Sequence, residues 1–398
     1  MKYYMKPLLT LGLLVVMLTA FPICQAQQIA GNNNDFACNL LRAINERNEG
    51  SFVASPLSVT FMLGMLNEGA DGETRQQITD VMRLDGSVQE INEYCRKMMV
   101  KAPRFDPTVT VKMVNYITAN SALDISLFPQ YVADMQQYYK ARVEAFDFEN
   151  NSALFKINNW CKTNTDGMIP TILDRIDPTA AMYLLNAIYF KANWTQKFTP
   201  SATRQMEFTM PDGSRENRMM MHNNIKALYC SNDTYQMLYL PYGNGSYGMY
   251  ILLPIGNATT GDIIEYLTAQ ELEEMIGAMQ TFQVDILLPR FTTSSLCLLN
   301  DPLSAMGMPL AFSEGLAEFP NMAQKRELYI YKMLQKARIE VNEQGTKAAA
   351  VTVTEMRNRS ASAWSRNVVF HATRPFVYFI VERSTHSIFF MGTYRGEE

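Results

Sequence analysis

Three histidines, His222, His371 and His386, and six cysteines are the residues of this 398-residue chain best suited to acid–base, nucleophilic or metal chemistry. Their surroundings support none of it. No histidine lies in an HExxH motif, no GxSxG holds a nucleophilic serine, and no P-loop or dinucleotide fingerprint occurs. No pair among Cys38, Cys95, Cys161, Cys230 and Cys297 has metal-ligand spacing. The chain therefore reads as a protein that is not an enzyme and that uses no metal and no cofactor. The cysteines read as buried thiols, because a chain with 47% apolar residues has core enough without disulfide staples.

A mechanical chemistry is written instead in the stretch Glu343-Gln344-Gly345-Thr346-Lys347-Ala348-Ala349-Ala350-Val351-Thr352-Val353-Thr354. It contains no proline and no large apolar side chain. It suits an exposed loop, having little apolar surface to hide. It also suits a buried strand, since Val and Thr fit a pleated surface and Ala fits beneath covering helices. Composition leaves both states open, as it leaves open an ordinary Ala-rich strand or helix end. A segment compatible with both states is what a loop that inserts into a sheet requires. As a strand it would turn Thr346, Ala348, Ala350, Thr352, Thr354 and Met356 to one face, the better face to bury. Lys347, Ala349, Val351, Val353, Glu355 and Arg357 would take the other.

The elements that must hold such a segment are mostly helical early and mostly strands late. Asp35 is placed to cap a helix carrying Phe36, Leu40, Leu41 and Ile44. Ser55 before Pro56 is an N-cap followed by proline at the first helical position, and Ser87 with Glu90 has capping-box form. Thr108 to Ile117 alternates, with Val109, Val111, Met113 and Ile117 on one face, and predicts a half-buried strand. Ala180 to Phe190 is almost wholly apolar and predicts a strand covered on both faces. Further strands are expected at 282–288, 328–341 and 376–381. Helices first, then strands with few βαβ alternations, is an α+β pattern. No linker or repeat divides the chain, so it reads as one domain. Its net charge of −4, with no basic run, argues against nucleic acid as a partner.

The N-terminus has the form of a targeting segment. Lys2 and Lys6 precede an apolar run from Leu8 to Phe21, and Cys24-Gln25-Ala26 offers small residues before a cut. Residues 1–26 thus read as a signal peptide and 27–398 as the mature domain, secreted or periplasmic. The apolar run is short for a membrane span. A lipid anchor at Cys24 is a further reading, disfavoured by Pro22 and Ile23.

The segment at 343–350 resembles the reactive-loop hinge of the serpins, and the resemblance runs through nearly the whole mature chain. Ser55-Pro56-Leu57-Ser58 with Gly69-Ala70-Asp71-Gly72-Glu73-Thr74 is similar to the family's early helix pair. Ile157-Asn158-Asn159-Trp160 is similar to its helix across the main sheet, and Leu185 to Trp194 to its central strand. Leu240-Pro241-Tyr242, Leu288-Pro289-Arg290-Phe291, Met306-Gly307-Met308, Arg374-Pro375-Phe376 and Phe390-Met391-Gly392 follow in order.

The resemblance implies a single α+β domain with a large central mixed sheet, further sheets, about nine helices and an exposed reactive-centre loop at about 343–366. It implies a suicide inhibitor of serine proteases. Counting fourteen residues on from Gly345 puts the reactive bond at Arg359-Ser360, with Arg357 and Arg366 as local competitors. An arginine there implies a trypsin-like target with an acidic pocket, trapped as a covalent 1:1 complex by a monomer. Glu343, Gly345, Thr346, Ala348, Ala349 and Ala350 form the implied hinge. Ser55, Ser58, Asn186, Trp194 and Gln335 form the implied sheet-opening region, where Gln335 replaces the histidine frequent in inhibitory relatives. The alternative is a non-inhibitory serpin acting as carrier or chaperone.

Overall fold

The computed structural model of the chain describes residues 33–84, 86–150, 152–324, 328–346 and 367–397. Residues 1–26, read above as a signal peptide, and the residues from 347 to 366 lie outside them. Nine α-helices occur among the described residues: α1 (33–45), α2 (Pro56–Gly69), α3 (Gly72–Met82), α4 (Val88–Lys101), α5 (Pro129–Tyr139), α6 (Ser152–Asn164), α7 (Thr260–Tyr266), α8 (Ala269–Ala278) and α9 (Asn300–Met306). None of the helices is long and apolar enough to cross a membrane.

The local signals account for several helix starts. The Ser55 hydroxyl accepts a hydrogen bond from Ser58 N, with Pro56 at the first helical position. Ser87 and Glu90 form both bonds of the capping box. Asp35, expected as a cap, lies inside α1 instead, because the chain is already helical at residue 33.

Six strands make the central mixed sheet: β2 (Thr110–Asn120), β3 (Arg142–Phe146), β4 (Met182–Asn193), β10 (Phe291–Leu298), β11 (Lys332–Asn342) and β12 (Gly345–Thr346). Their order is β10-β11-β12-β4-β2-β3, with β11 and β4 also paired directly. The pairs β11–β4 and β2–β3 are parallel and the others antiparallel. A second, nine-stranded sheet contains β1 (Phe52–Ala54), β5 (Arg204–Thr209), β6 (Arg215–Ser231), β7 (Tyr235–Tyr242), β8 (Tyr247–Pro254), β9 (Gln280–Pro289), β13 (Asn367–His371), β14 (Phe376–Glu382) and β15 (Ile388–Tyr394).

The central sheet is buried on both faces at β4, while β10 and β3 keep exposed positions. On one side Ile157, Trp160 and Cys161 of α6 pack on Tyr116, Leu185, Ala187 and Leu334. On the other, Ile117, Leu184, Ile188 and Ala337 join the main core with Leu57 and Phe61 of α2 and with Phe379 and Met391 of the second sheet. This explains why β4 is apolar in nearly every position. It also corrects the half-buried expectation for the second half of β2, which is buried from Asn115 on. Val114 and Tyr116, on the face left to solvent by the alternation, lie under α6, a long-range contact that strand periodicity does not carry.

Candidate functional site

β11 ends in a turn at Asn342–Gly345, and the chain returns as β12 into the gap between β11 and β4. Thr346 pairs with Val341 and Gly345 with Asn342 on one side. Gly345 pairs with Asn193 and Thr346 with Ala192 on the other, both antiparallel. Below this point β11 and β4 close on each other in parallel register, from Lys332 opposite Tyr183 to Arg338 opposite Tyr189. Two residues of the Glu343–Thr354 segment therefore stand in the sheet as a short strand.

Gly345 is there because only glycine fits. Its φ of +143° disfavours side chains, and a Cβ would stand 2.1 Å from the Ala192 carbonyl oxygen and 2.5 Å from Asn193 Cα. Thr346 is fully buried. Its hydroxyl lies 2.8 Å from the Tyr242 hydroxyl. Tyr242 in turn stacks on Trp194, rings 4.3 Å apart and 12° from parallel. Trp194 holds the turn from the side: its indole N–H donates to the Asn342 carbonyl (2.9 Å) and its backbone N–H to that of Gln344 (2.8 Å).

Glu343 latches the same turn. Its carboxylate pairs with Arg290 and accepts from the Thr203 hydroxyl at 2.7 Å, while its carbonyl accepts from Phe198 N. Burial pushes the carboxyl up, but the Arg290 and Thr203 bonds together outweigh it and hold the group below the usual carboxylate range. A depressed folded-state pKa means stabilisation present above the unfolded value of roughly 4.3 and lost as pH falls through the folded one. Glu343→Gln should therefore cost about 1 kcal/mol at neutral pH, a figure kept small because Arg290 is half exposed. The gap between variant and parent unfolding midpoints should shrink below about pH 4. A gap that stayed constant down to low pH would assign the latch to something other than this ion pair.

A second constellation lies deeper in the sheet. Gln335, Asn186 and Asn115 are opposite one another on β11, β4 and β2. All three are buried on the face toward α2. The Gln335 amide oxygen accepts from Ser55 N at 2.7 Å, and its nitrogen donates to the Ser55 carbonyl (3.0 Å) and to Asn186 Oδ1 (3.3 Å). Asn186 Nδ2 donates to Asn115 Oδ1 at 2.9 Å, and Asn115 Nδ2 to the Tyr139 carbonyl at 3.1 Å. A glutamine thus satisfies both backbone groups at the entrance to α2 while bridging β11 and β4. The Ser58 hydroxyl has no hydrogen-bond partner among the described residues; Ser58 belongs to the group through its N–H bond to the Ser55 hydroxyl.

The structure thus brings Ser55, Ser58, Asn186 and Gln335 together, and sets Trp194 apart from them, eight residues on from Asn186, beside the turn between β11 and β12. Glu343, Gly345 and Thr346 belong to the end of the sheet. Ala348, Ala349, Ala350, Arg359 and Ser360 lie outside the described residues. Tyr242, Arg290 and Thr203 were not singled out from sequence. Two of them sit in the quoted blocks Leu240-Pro241-Tyr242 and Leu288-Pro289-Arg290-Phe291, but nothing local links them to residue 343 or 346. His222 and His371 each bond one oxygen of Asp285, at 2.7 and 3.0 Å, and His386 faces Glu273. Among the described residues, no group of His, Cys, Asp or Glu is arranged to hold a metal ion.

This architecture is matched by known proteins. The family model described as Serpin (serine protease inhibitor) matches residues 31–395. A protein of Sus scrofa named leukocyte elastase inhibitor is 31% identical over 388 residues, spanning 92% of this chain and 98% of its own. An uncharacterized serpin-like protein of Thermococcus kodakarensis is 30% identical, over 92% of this chain and 85% of its own. The crystal structure of the thermophilic serpin tengpin in its native state superposes with a TM-score of 0.86 at 29% identity, covering 93% of this chain and 94% of that one.

Proposed function

Because this chain belongs to the serpin family, we propose that it is a suicide inhibitor of trypsin-like serine proteases. The protease attacks Arg359-Ser360 and forms an acyl-enzyme. The freed N-terminal side of the loop then enters the central sheet as a strand between β11 and β4 and carries the protease with it. The observation that supports this most is the paired state of Gly345 and Thr346, which lie in the gap a new strand would fill.

The energetics have the right scale. Fourteen inserted residues advance the tethered protease about 46 Å at roughly 3.3 Å each. The direct β11–β4 ladder is given up, and each inserted residue gains neighbours on both sides. One net ladder bond of about 1 kcal/mol per residue gives on the order of 10 kcal/mol, about seven powers of ten. The uncut form is then a kinetically held state.

Export belongs to the same proposal. It rests on the targeting form of residues 1–26, whose removal after Ala26 would leave Gln27 first. The names of the elastase-inhibitor relatives favour a second reading of specificity, an elastase-like target.

The test is to mix the full mature chain with trypsin and with elastase. Trypsin should yield a 1:1 complex that survives boiling in detergent. Separately, chain cut in the loop should unfold at a substantially higher temperature than intact chain, having gained a central strand. A complex with elastase alone would move the specificity to the second reading. Cleavage with neither a complex nor a rise in midpoint would identify a non-inhibitory member.

A further inference from the structure

A cavity of about 300 Å³ lies behind the hinge, between the turn that leaves β4 and strands β6 and β7. Its walls include Trp194, Ile225, Leu228, Leu240 and Pro241. Lys226 of β6 and Arg383, in the turn after β14, also line it, and both are exposed to solvent. No aspartate or glutamate lines the cavity. Neither cation is ion-paired among the described residues, although the chain as a whole carries a net negative charge. The volume stands at the lower end of the roughly 300–1,000 Å³ typical of small-ligand sites, and the mix of apolar wall and few charged groups is typical of them too.

We propose that this cavity is a binding site for a small amphipathic anion: an apolar, preferably planar body against Trp194 and Leu240, and one acidic head held by Lys226 and Arg383. Apolar walls without a cation would take a neutral molecule equally well. Two cations without an apolar wall would be an ordinary solvated surface. Their convergence on one concavity selects a molecule with both parts. The site is independent of the proposed inhibition, yet it shares a wall with the hinge. Trp194 bounds the cavity while it stacks on Tyr242 and bonds the carbonyls of Asn342 and Gln344. An occupant that braces Trp194 therefore steadies the turn that carries β12.

The experiment uses the full mature chain and the probe 1-anilinonaphthalene-8-sulfonate. Binding should be saturable with one site and should quench tryptophan emission by energy transfer. The probe should also raise the unfolding midpoint of intact chain. The double variant Lys226→Ala, Arg383→Ala removes two exposed side chains and leaves the fold intact. It should weaken binding by at least about tenfold, the loss expected for a charge-assisted contact. N-phenyl-1-naphthylamine, which keeps the rings and lacks the sulfonate, should bind the parent more weakly by a similar factor. Leu228→Trp, which fills the cavity from β6, should abolish binding of both probes. The proposal is overturned if the double variant binds the sulfonate as tightly as the parent, or if the uncharged probe binds equally well. It is overturned too if Leu228→Trp, folded by circular dichroism, leaves binding unchanged.

Discussion

Replacing Arg359 by alanine should slow association of the chain with trypsin by roughly one and a half to three and a half powers of ten. The proposed Arg359 guanidinium meets the acidic group at the base of a trypsin-like pocket in a charge-assisted, often bidentate, hydrogen bond. Truncation removes that contact and leaves the buried pocket acid unpaired, an effect of about 2–5 kcal/mol. The loss appears in the rate because the bait residue must be bound before the acyl-enzyme forms. Alanine fits small pockets that exclude arginine, so the variant should gain against elastase as it loses against trypsin. Arg357→Ala is the control, two residues upstream and expected to matter much less. If Arg357→Ala abolished trypsin inhibition and Arg359→Ala did not, the register would shift by two and the reactive bond would be Arg357-Asn358.

Thr346→Arg should convert the inhibitor into a substrate. In the structure Thr346 is fully buried, paired on both sides, and its hydroxyl meets that of Tyr242. No room remains for a guanidinium, and among the described residues no carboxylate is bonded to Thr346 to pair one. Placing an unpaired cation there costs several kcal/mol, so β12 should leave the sheet and insertion after cleavage should slow. Insertion competes with hydrolysis of the acyl-enzyme, and a slower insertion loses that competition. The protease should then cut the variant and go free, so the moles of inhibitor consumed per mole of protease trapped should rise at least about tenfold, a rate ratio worth only about 1.4 kcal/mol. Lys347→Glu is the control, since alternation would turn residue 347 to the opposite face of an inserted strand. Unchanged stoichiometry for Thr346→Arg would remove residue 346 from the inserting strand.

Several features of this fold were legible in the sequence because their causes are local. Ser55-Pro56 and Ser87-Glu90 carry their own capping chemistry, and both helices begin there. The apolar run of β4 announced burial on both faces. The small residues from 343 to 354, with the ordered blocks around them, pointed to the serpin family. The alternation also put Thr346 on the face to be buried, where it is found.

What only the tertiary structure decided is how the turn between β11 and β12 is held. Arg290 lies 53 residues from Glu343, Tyr242 lies 104 from Thr346, and Thr203 lies 140 from Glu343. No periodicity or cap spans such separations. Their meeting depends on which strands are neighbours and in what register. The same holds for Gln335, Asn186 and Asn115, which form one polar row because β11, β4 and β2 pair in the offsets they do. A shift of one residue in any of those strands would turn the amide to the opposite face, under α6. Sequence alone determined that this chain carries a segment able to be loop or strand. Strand register decided that Gly345 and Thr346, its third and fourth residues, are already strand, because the gap between β11 and β4 admits a glycine and a buried threonine and gives both of them partners.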